Sequence, residues 1–449
     1  MLMKPPTNNT PPQGYKMTEL GALPEEWEII NLDKIIDLKR GISWRKDEAN
    51  KEGIGIPVIG IPNIKENGKI DFKDTYFLTK NISSDKMVRI NDILFVGSSG
   101  SIKNIGRNVL IKEIQQNKFT YASFTFLGRV NPLNANTVYI FYLLNSLFVD
   151  YGRYTRRASD GKYNFQLTQF KNEQKIPLPP LPEQQKIASV LSAVQEAKEK
   201  TEAVIKATKA LKKSMMKHLF TYGPVSPEEV ENIQLKETEI GPVPEDWEVV
   251  KLGEVAESFI GGGTPPTDIK EYWNGTVHWT TSKKINDLYL LNGEKKITEK
   301  GLKESSTHLI PKDNLIIGTR VGVGKVAINK IDIAISQDLT GVFIDNKKYS
   351  LEYLAYQIST VQIQKYLKEC TRGTTIKGIP RDDLKRLPLQ IPPLPIQQKI
   401  ASILSAIDAK IEAEENKKKA LEELFKSLLH NLMTAKIRVN NLKLNEKDI

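Results

Sequence analysis

The sequence contains an internal repeat, which restricts the possible folds more than any other feature. The segment TELGALPEEWEIINL (18–32) recurs as TEIGPVPEDWEVVKL (238–252), with eight of fifteen residues identical. The segment LPPLPEQQKIASVLSA (178–193) recurs as IPPLPIQQKIASILSA (391–406), with thirteen of sixteen identical. The two pairs are offset by 220 and 213 residues, so one module occurs twice. We therefore expect two similar globular parts.

Each module ends in a long helical pattern. Pro-rich sequence precedes both patterns, and such sequence can start a helix but cannot continue one. Apolar residues then recur with a period of about 3.5–3.6. The predicted interface residues, between the two helices or with another subunit, are Ile187, Leu191, Val194, Val204, Leu211, Met215, Ile400, Leu404, Ile407, Ile411, Leu421 and Leu428. Two equivalent helices related by a pseudo-two-fold axis would form an antiparallel coiled coil. The polar segment 412–420 is either solvated or binds another subunit.

The globular parts have the pattern of mixed α/β domains. Runs such as DILFVG (92–97) and DNLIIG (313–318) predict strands, and residues 136–155 and 350–371 each predict one amphipathic helix. The expected fold class is α/β (mixed α+β), with two similar domains separated by two long helices. The expected boundaries are a flexible tail at 1–14, a first domain at 15–180, a helix at 181–221, a second domain at 222–393, a helix at 394–436 and a tail at 437–449.

The positive charge is concentrated in one part of the chain. Lys and Arg number 65 against 54 Asp and Glu, which gives a net charge of +11. Residues 1–222 hold 33 basic and 22 acidic side chains, whereas residues 1–100 are balanced at 14 and 14. Residues 101–222 therefore hold the excess. A local positive field favours a polyanion partner such as nucleic acid, although a Lys/Glu-rich solvated surface has the same composition.

Other classes of protein fit the sequence poorly. Cys370 is the single cysteine, so no internal disulfide is expected, and the four histidines show no metal-ligand spacing. We expect no membrane span, because no run of about 18 apolar residues occurs. The first residues have no apolar signal core, so a cytoplasmic protein is expected.

The stretch GTRVGVGKVAI (318–328) resembles a phosphate loop but does not match one. Five residues rather than four separate Gly318 from Gly324, and Val326 replaces the hydroxyl that would bind magnesium. Because β-branched residues follow, we expect a β-hairpin here. One enzymatic alternative stays open. Asp287 with Glu294-Lys295-Lys296 imitates the metal site of a DNA endonuclease.

Several repeated stretches together support a family resemblance. They are IPLPPLPEQQKIASVLSA with LQIPPLPIQQKIASILSA, LPEEWEIINLDKI with VPEDWEVVKLGEV, and GGGTPPTDIKEYWNGTVHWTT with GTRVGVGKVAI. In this order they resemble the specificity subunit of Type I restriction-modification enzymes, over essentially the whole chain beyond the first dozen or so residues. The resemblance implies two target recognition domains that each read one half of a bipartite, asymmetric DNA site, with the helices as a spacer.

The resemblance also implies that this chain has no catalytic activity, metal or cofactor of its own. It implies partners: double-stranded DNA, two copies of a methylation subunit that binds S-adenosylmethionine, and two copies of a restriction subunit that uses ATP and magnesium. A bare interaction scaffold is a further alternative.

Candidate DNA-binding residues lie mainly in two regions of each domain, the loop after the last domain helix and the Gly-rich hairpin. Phosphate contacts use Lys, Arg and small hydroxyls, and base contacts use Arg, Lys, Asn, Gln, Ser or Thr. The predicted residues are Arg45, Lys46, Ser98, Ser99, Lys103, Arg153, Arg156, Arg157, Lys162, Tyr163, Asn164, Thr264, Lys283, Lys284, Arg320, Lys325, Arg372, Thr374, Thr375 and Lys377. Alternatively, these are ordinary solvated basic loops, and the hairpin glycines only satisfy turn geometry.

Overall fold

The structure is a computed structural model, and it describes residues 11–65, 68–114, 118–373 and 377–439. The chain forms two compact units. Unit 1 contains the described residues of Met1–Thr201 and Lys417–Ile449, and unit 2 those of Glu202–Asn416. Each unit therefore combines one globular part with the beginning of one long helix and the end of the other. This division runs through the helices, and the six segments expected from the sequence stay a prediction.

Unit 1 is built on a four-stranded antiparallel sheet with smaller sheets around it. Its strands are β1 (Tyr15–Thr18), β2 (Gly21–Pro24), β3 (Glu28–Asn31), β4 (Ile36–Arg40), β5 (Ala49–Asn50), β6 (Ile56–Ile59), β7 (Tyr76–Leu78), β8 (Asp92–Val96), β9 (Ser98–Ser99), β10 (Asn108–Leu110), β11 (Thr120–Tyr121), β12 (Thr125–Val130), β13 (Thr155–Arg157), β14 (Tyr163–Phe165) and β15 (Lys175–Leu178). The main sheet has the order β10-β8-β12-β4, and a second sheet has the order β11-β6-β7-β5. A small sheet, β13-β14-β9, and the pairs β1-β2 and β15-β3 complete the unit.

The helices of unit 1 are α1 (Thr137–Leu144), α2 (Leu167–Glu173) and the first half of α3 (Leu181–Tyr222). The expectation of one helix over 136–155 is wrong, because α1 ends at Leu144 and only a 3-10 turn follows, at Tyr151–Tyr154. The Ser146 hydroxyl donates to the Leu143 carbonyl at 2.7 Å. Such side chains compete with the backbone bonds of a helix and favour its end.

Unit 2 repeats this architecture around a five-stranded sheet. Its strands are β16 (Leu235–Thr238), β17 (Gly241–Pro244), β18 (Glu248–Lys251), β19 (Ala256–Gly261), β20 (Trp273–Thr280), β21 (Tyr289–Leu290), β22 (Lys295–Ile297), β23 (His308–Ile310), β24 (Asn314–Gly318), β25 (Val326–Asn329), β26 (Ile333–Ile335), β27 (Leu339–Ile344) and β28 (Pro388–Ile391). The main sheet has the order β19-β27-β24-β25-β21, and the second sheet has the order β22-β20-β26-β23. Strands β24 and β25 pair antiparallel, so the stretch at 318–328 is the β-hairpin that the sequence predicts.

The helices of unit 2 are α4 (Leu252–Val255), α5 (Glu299–Glu304), α6 (Leu351–Ile358), α7 (Val361–Glu369), α8 (Arg381–Lys385) and the first half of α9 (Leu394–Met433). The single helix expected over 350–371 is therefore two helices. Ser359 and Thr360 separate them, and their hydroxyls donate to carbonyls of the preceding turn at 2.9 and 2.7 Å. The same competition with the helix backbone explains this break.

Each long helix buries one stripe in which residues alternate at spacings of four and three. In α3 the buried and half-buried stripe is Ile187, Leu191, Val194, Lys198, Thr201, Ile205, Thr208, Lys212, Met215 and Leu219. In α9 it is Ile400, Leu404, Ile407, Ile411, Glu414, Lys418, Leu421, Phe425, Leu428 and Leu432. This is the 3.5-residue repeat of a coiled coil.

The two helices run antiparallel within each unit. In unit 1, the Arg438 Nε beyond the end of α9 bonds Glu183 in the first turn of α3, and Lys198 lies over the Phe425 ring at 5.9 Å. In unit 2, the Lys212 ammonium bonds Asp408 at 2.6 Å. Later residues of α3 therefore meet earlier residues of α9.

Val204 and Leu211 lie outside the α3 stripe. Their side chains are 39% and 52% exposed, and the stripe positions beside them belong to Ile205 and Lys212. The centre of the stripe is partly polar. A search for apolar residues in the sequence therefore selects positions on the neighbouring face of the helix there. The other ten predicted interface residues lie on the stripes, and a role for Val204 and Leu211 in binding another subunit stays a prediction.

A buried glutamine fixes the start of each long helix to its domain. The Oε1 atom of Gln184, whose side chain is 1% exposed, accepts the N–H of Asn136 at 2.9 Å. Its Nε2 donates to the Pro179 carbonyl at 2.8 Å. Gln397 forms the same two bonds in unit 2, at 3.0 and 2.8 Å. The repeated PEQQ and PIQQ segments thus supply a structural clamp.

Unit 1 adds a polar cluster that the repeat lacks. The buried Glu183 carboxylate accepts Trp27 Nε1 at 3.0 Å and Arg438 Nε at 3.0 Å. Arg438 also bonds Glu26, and this hydrogen bond lowers the pKa of the Glu26 carboxyl. Ile396 stands at the position of Glu183 in the second copy. The cluster therefore ties the residues after α9 to unit 1 only.

No helix in the described part of the chain is both long enough and apolar enough to span a membrane.

Candidate nucleic-acid interface

The main sheet of unit 1 has one end from which three loops emerge, here called the loop end. In the register of the sheet, Arg40 at the end of β4 pairs with Phe126 in β12. Val96 at the end of β8 pairs with Thr125, the first residue of β12. The loops after β4 and β8 and the turn before β12 must therefore lie side by side.

Backbone hydrogen bonds hold the loops together. The N–H of Gly97 donates to the Phe124 carbonyl at 2.9 Å, and the N–H of Gly41 donates to the Thr125 carbonyl at 3.1 Å. At Gly41 a Cβ atom would lie 2.1 Å from the Ala122 carbonyl oxygen, so only glycine permits this approach. The loop end is consequently a rigid platform, suited to positioning side chains for a ligand.

The small sheet β13-β14-β9 brings candidate residues from two distant segments to this end. Asn164 pairs with Ser98 on one side and with Arg156 on the other. Tyr163 pairs with Ser99 and Arg157 in the same way. Two regions that the sequence analysis selected separately therefore come together in one small sheet at the surface of the unit.

The basic groups of this surface are exposed but partly oriented. Arg156 Nη1 donates to the carbonyls of Arg153 and Thr155 at 3.0 and 3.1 Å, so part of its guanidinium is already bonded. The guanidinium of Arg157 lies 6.0 Å from the Tyr163 ring centre, within reach of a cation–π contact. Oriented guanidinium groups lose less entropy on binding phosphate or a base edge.

Lys162 lies in the β13–β14 turn beside Asp160. The two side chains are 3.3 Å apart. The N–H of Lys162, and secondarily its ammonium, lower the pKa of Asp160, so the carboxylate is ionised at neutral pH. The pair partly offsets the positive charge of the turn.

The remaining candidates of unit 1 differ in their access to a ligand. Ser98 is 4% exposed, which leaves little of its side chain for contact, whereas Ser99 is half-buried and Lys103 is exposed. Arg45 and Lys46 are exposed in the segment that follows Gly41, and Arg45 lies 3.6 Å from Glu48.

Unit 2 has a loop end with the same construction. Gly261 at the end of β19 pairs with Thr340, and Gly318 at the end of β24 pairs with Leu339, the first residue of β27. The N–H of Thr319 donates to the Asp338 carbonyl at 2.8 Å, as Gly97 does to Phe124 in unit 1.

The loop after α7 reaches this end through the backbone. Ile379 N–H donates to the Thr319 carbonyl at 2.8 Å, and Arg372 and Gly378 exchange two backbone bonds of 2.8 and 2.9 Å. Arg372 Nη2 donates to the buried Asp383 carboxylate at 2.8 Å, so one edge of an otherwise exposed guanidinium is fixed. Lys377 is exposed, and the predicted Thr374 and Thr375 lie outside the described residues.

The hairpin residues of unit 2 have two different environments. Arg320 is exposed, but Lys325 is half-buried and its ammonium donates to the Ser282 carbonyl at 3.1 Å. This bond brings the exposed Lys283 and Lys284 to the same end. The hydroxyl of Thr264 donates to Gln337 Oε1 at 2.5 Å.

The sequence analysis did not select Phe124, Gln337 or Asp338, which occupy the turn at the centre of each loop end. Alignment of the short strand pairs in the two copies was the signal that could have found them.

The structure also places Glu294, an acidic residue of the endonuclease alternative. Glu294 is exposed and accepts the Thr281 hydroxyl at 2.6 Å. Among the described residues, no group of three His, Cys, Asp or Glu side chains could hold a metal ion.

Comparisons with known proteins give a consistent result. A family model described as the Type I restriction modification DNA specificity domain matches residues 24–208 and 244–423. A Methanocaldococcus jannaschii protein assigned to the MjaX type I restriction enzyme as specificity subunit is 30% identical over 439 residues, covering 95% of this chain and 97% of that protein. The EcoR124I/EcoR124II specificity subunit of Escherichia coli is 25% identical over 275 residues, covering 60% and 63%.

Solved structures show the same fold. The crystal structure of a Type I restriction-modification S subunit from M. genitalium matches 90% of this chain and 96% of that one, with a TM-score of 0.59 and 15% identity. A chain from a structural study of complex assembly in a type I R-M system matches 92% and 99%, with a TM-score of 0.53 and 18% identity. The mixed α/β fold class expected from the sequence is confirmed.

Proposed function

The chain belongs to the family of Type I restriction-modification DNA specificity subunits, and on that premise we propose that each unit reads one half of a bipartite DNA site with its loop end. As a specificity subunit, the chain recognises DNA sequence and is not the catalytic component. One observation carries the proposal. In both units, separately selected basic and polar residues gather at the same end of the main sheet.

The two loop ends differ in the chemistry that they offer a base pair. Unit 1 presents Ser99, Tyr163 and Asn164 between cations, whereas unit 2 presents Arg320 and an oriented Arg372. Asn favours adenine, and Arg favours the O6 and N7 atoms of guanine. The half-sites should therefore differ in sequence, and the whole site should be asymmetric.

The long helices support the second part of the proposal, that they set the gap between half-sites and bind partner subunits. Specificity subunits of Type I systems work with DNA, a methylation subunit and a restriction subunit. Exposed apolar side chains on the helices, such as Leu211 in unit 2 and Leu424 in unit 1, provide contact surface for a partner. Two methylation and two restriction subunits would complete the complex and would supply the sites for S-adenosylmethionine, ATP and magnesium.

Selection from random duplexes tests the reading of half-sites. The chain, combined with its methylation subunit, is incubated with a random DNA pool, and the bound duplexes are sequenced. The proposal predicts two different short motifs at a fixed separation. One contiguous motif, or none, would contradict it, and cleavage by the purified chain with magnesium alone would support the endonuclease alternative instead.

Insertion of a heptad into both helices tests the spacer. Seven residues add about 10 Å of helix at ~1.5 Å per residue, which equals about three base pairs at ~3.4 Å each. The half-site motifs should stay the same while the gap grows by about three. An unchanged gap, in a variant that still binds, would refute the role of the helices in spacing.

A further inference from the structure

Phe124 is fixed at the tip of a tight turn at the loop end of unit 1. The N–H and the hydroxyl of Thr125 both donate to the Ala122 carbonyl, at 2.8 and 2.7 Å. The N–H of Gly97 bonds the carbonyl of Phe124 itself at 2.9 Å. The backbone is therefore held on both sides, yet the residue is 59% exposed.

The fold does not require an aromatic ring at this position. In unit 2 the equivalent turn is closed by the N–H of Leu339, which donates to the Ser336 carbonyl at 3.0 Å. Asp338 occupies the position of Phe124 and accepts the same kind of backbone bond, from Thr319 at 2.8 Å. An acidic residue thus builds the turn equally well. The geometry of the turn therefore does not account for the ring of Phe124.

The neighbours of Phe124 are groups that suit DNA. Gly97 leads directly into β9, where Ser99 pairs with Tyr163 in the small sheet. On the other side, Ala122 forms a bridge with Ile42, which leads to the exposed Arg45. In the major groove, thymine presents an apolar C5-methyl group beside the polar edges of the bases. An apolar side chain that lies between hydrogen-bonding groups and cations is suited to contact this methyl group.

Exposure alone would not support this inference, since single exposed apolar residues are common. Leu133 is 86% exposed, but it follows the far end of β12, away from the loop end. What distinguishes Phe124 is its rigid turn together with its place among the candidate DNA contacts.

We infer that Phe124 determines specificity by contacting the C5-methyl group of a thymine in the half-site read by unit 1. This inference rests on the proposed function, because it assigns one contact within that recognition. Unit 2 places Asp338 and the Thr264-bound Gln337 at the same turn, so its half-site should show no equivalent preference.

Replacement of thymine by deoxyuridine tests the contact, because it removes only the methyl group. Each thymine of the bipartite site is replaced in turn, and the dissociation constant is measured for the chain with its methylation subunit. At one thymine of the first half-site, affinity should fall about fourfold, the value of burying one methyl group of ~0.8 kcal/mol. Phe124→Ala should bind the original site less tightly and show no loss at that thymine.

Leu133→Ala serves as the matched control and should respond to deoxyuridine as the unchanged chain does. The deoxyuridine substitutions are measured with the unchanged chain and need no variant protein. A folding defect in Phe124→Ala therefore cannot hide their outcome. The inference is overturned if no thymine of the first half-site shows the loss, or if Phe124→Ala retains it. Failure of the proposed function is distinguishable, since the unchanged chain would then prefer no bipartite site.

Discussion

Removal of three cations at the loop end of unit 1 should reduce the salt dependence of DNA binding by a calculable amount. The variant combines Arg153→Gln, Arg157→Gln and Lys162→Gln. All three side chains are exposed, and the pair between Lys162 and Asp160 is a surface pair. Surface pairs contribute about 0–1 kcal/mol, so the fold should survive the changes.

The magnitude follows from counterion release. Each phosphate that a cation neutralises contributes about 0.9 to the slope of log affinity against log salt. Three contacts give a slope change of about 2.7, so between 50 and 200 mM salt the unchanged chain should lose about 40-fold more affinity than the variant. Because the ionised Asp160 already offsets part of the charge of Lys162, the measured change should lie somewhat below this value.

The assay is a titration of fluorescent duplex at four salt concentrations. The control variant, Lys34→Gln with Lys171→Gln and Lys175→Gln, removes the same charge near the opposite end of the main sheet, where Leu32 N–H bonds the Gln174 carbonyl. Its slope should equal that of the unchanged chain. If both variants lowered the slope equally, the loop end would have no special role and the reasoning would be refuted.

Three further predictions concern the glutamine clamps, the Glu183 cluster of unit 1 and Arg372 of unit 2. Gln184→Ala and Gln397→Ala should each lower the free energy of unfolding by about 1–3 kcal/mol in urea titrations, because each leaves one buried carbonyl and one half-buried N–H without its partner. A loss below about 0.5 kcal/mol would refute the clamp. Glu183→Ala should lower the free energy of unfolding by about 2–3 kcal/mol, since it removes the acceptor of two donors, one of them charged. An unchanged midpoint of thermal unfolding would argue against a stabilising role for the cluster. Arg372→Ala should weaken DNA binding about 5–150-fold, which corresponds to the ~1–3 kcal/mol of a base contact, and Asp383→Asn should weaken it less. Competition with duplexes altered in one half-site should show that both variants affect only the half-site read by unit 2.

The sequence predicts the repeated architecture because its strongest signals are local. The Pro-rich starts of α3 and α9 and the β-hairpin at 318–328 depend on residues that are adjacent in the chain, and the structure has all three. Boundaries are predicted less well. The expected helices at 136–155 and 350–371 are shorter in the structure, because Ser and Thr hydroxyls bond the preceding carbonyls.

The loop ends could be predicted only in part, since they depend on tertiary pairing. Segments containing Ser99 and Tyr163 were selected from their composition, but their pairing is visible only in the sheet. Phe124 was missed because it lies in YASFTFLGRV, an apolar run that predicts one continuous strand. The turn in this run has neither Gly nor Pro, the usual turn signals. Thr125 closes it with both its backbone N–H and its hydroxyl, which donate to the Ala122 carbonyl.

The residues that are identical in the two copies and the residues that differ lie in different parts of the structure. This separation bears on how such a chain can change its DNA specificity. Near-identical segments supply Gln184 and Gln397, whose clamps hold each helix start. The central turns of the loop ends share a backbone but present Phe124 in one copy and Asp338 in the other. The backbone bonds of these turns do not depend on the side chain of Phe124 or Asp338. If the loop ends read DNA as we propose, a substitution there should change the surface offered to DNA at little cost to the fold. We therefore expect that specificity and stability can change separately in this molecule.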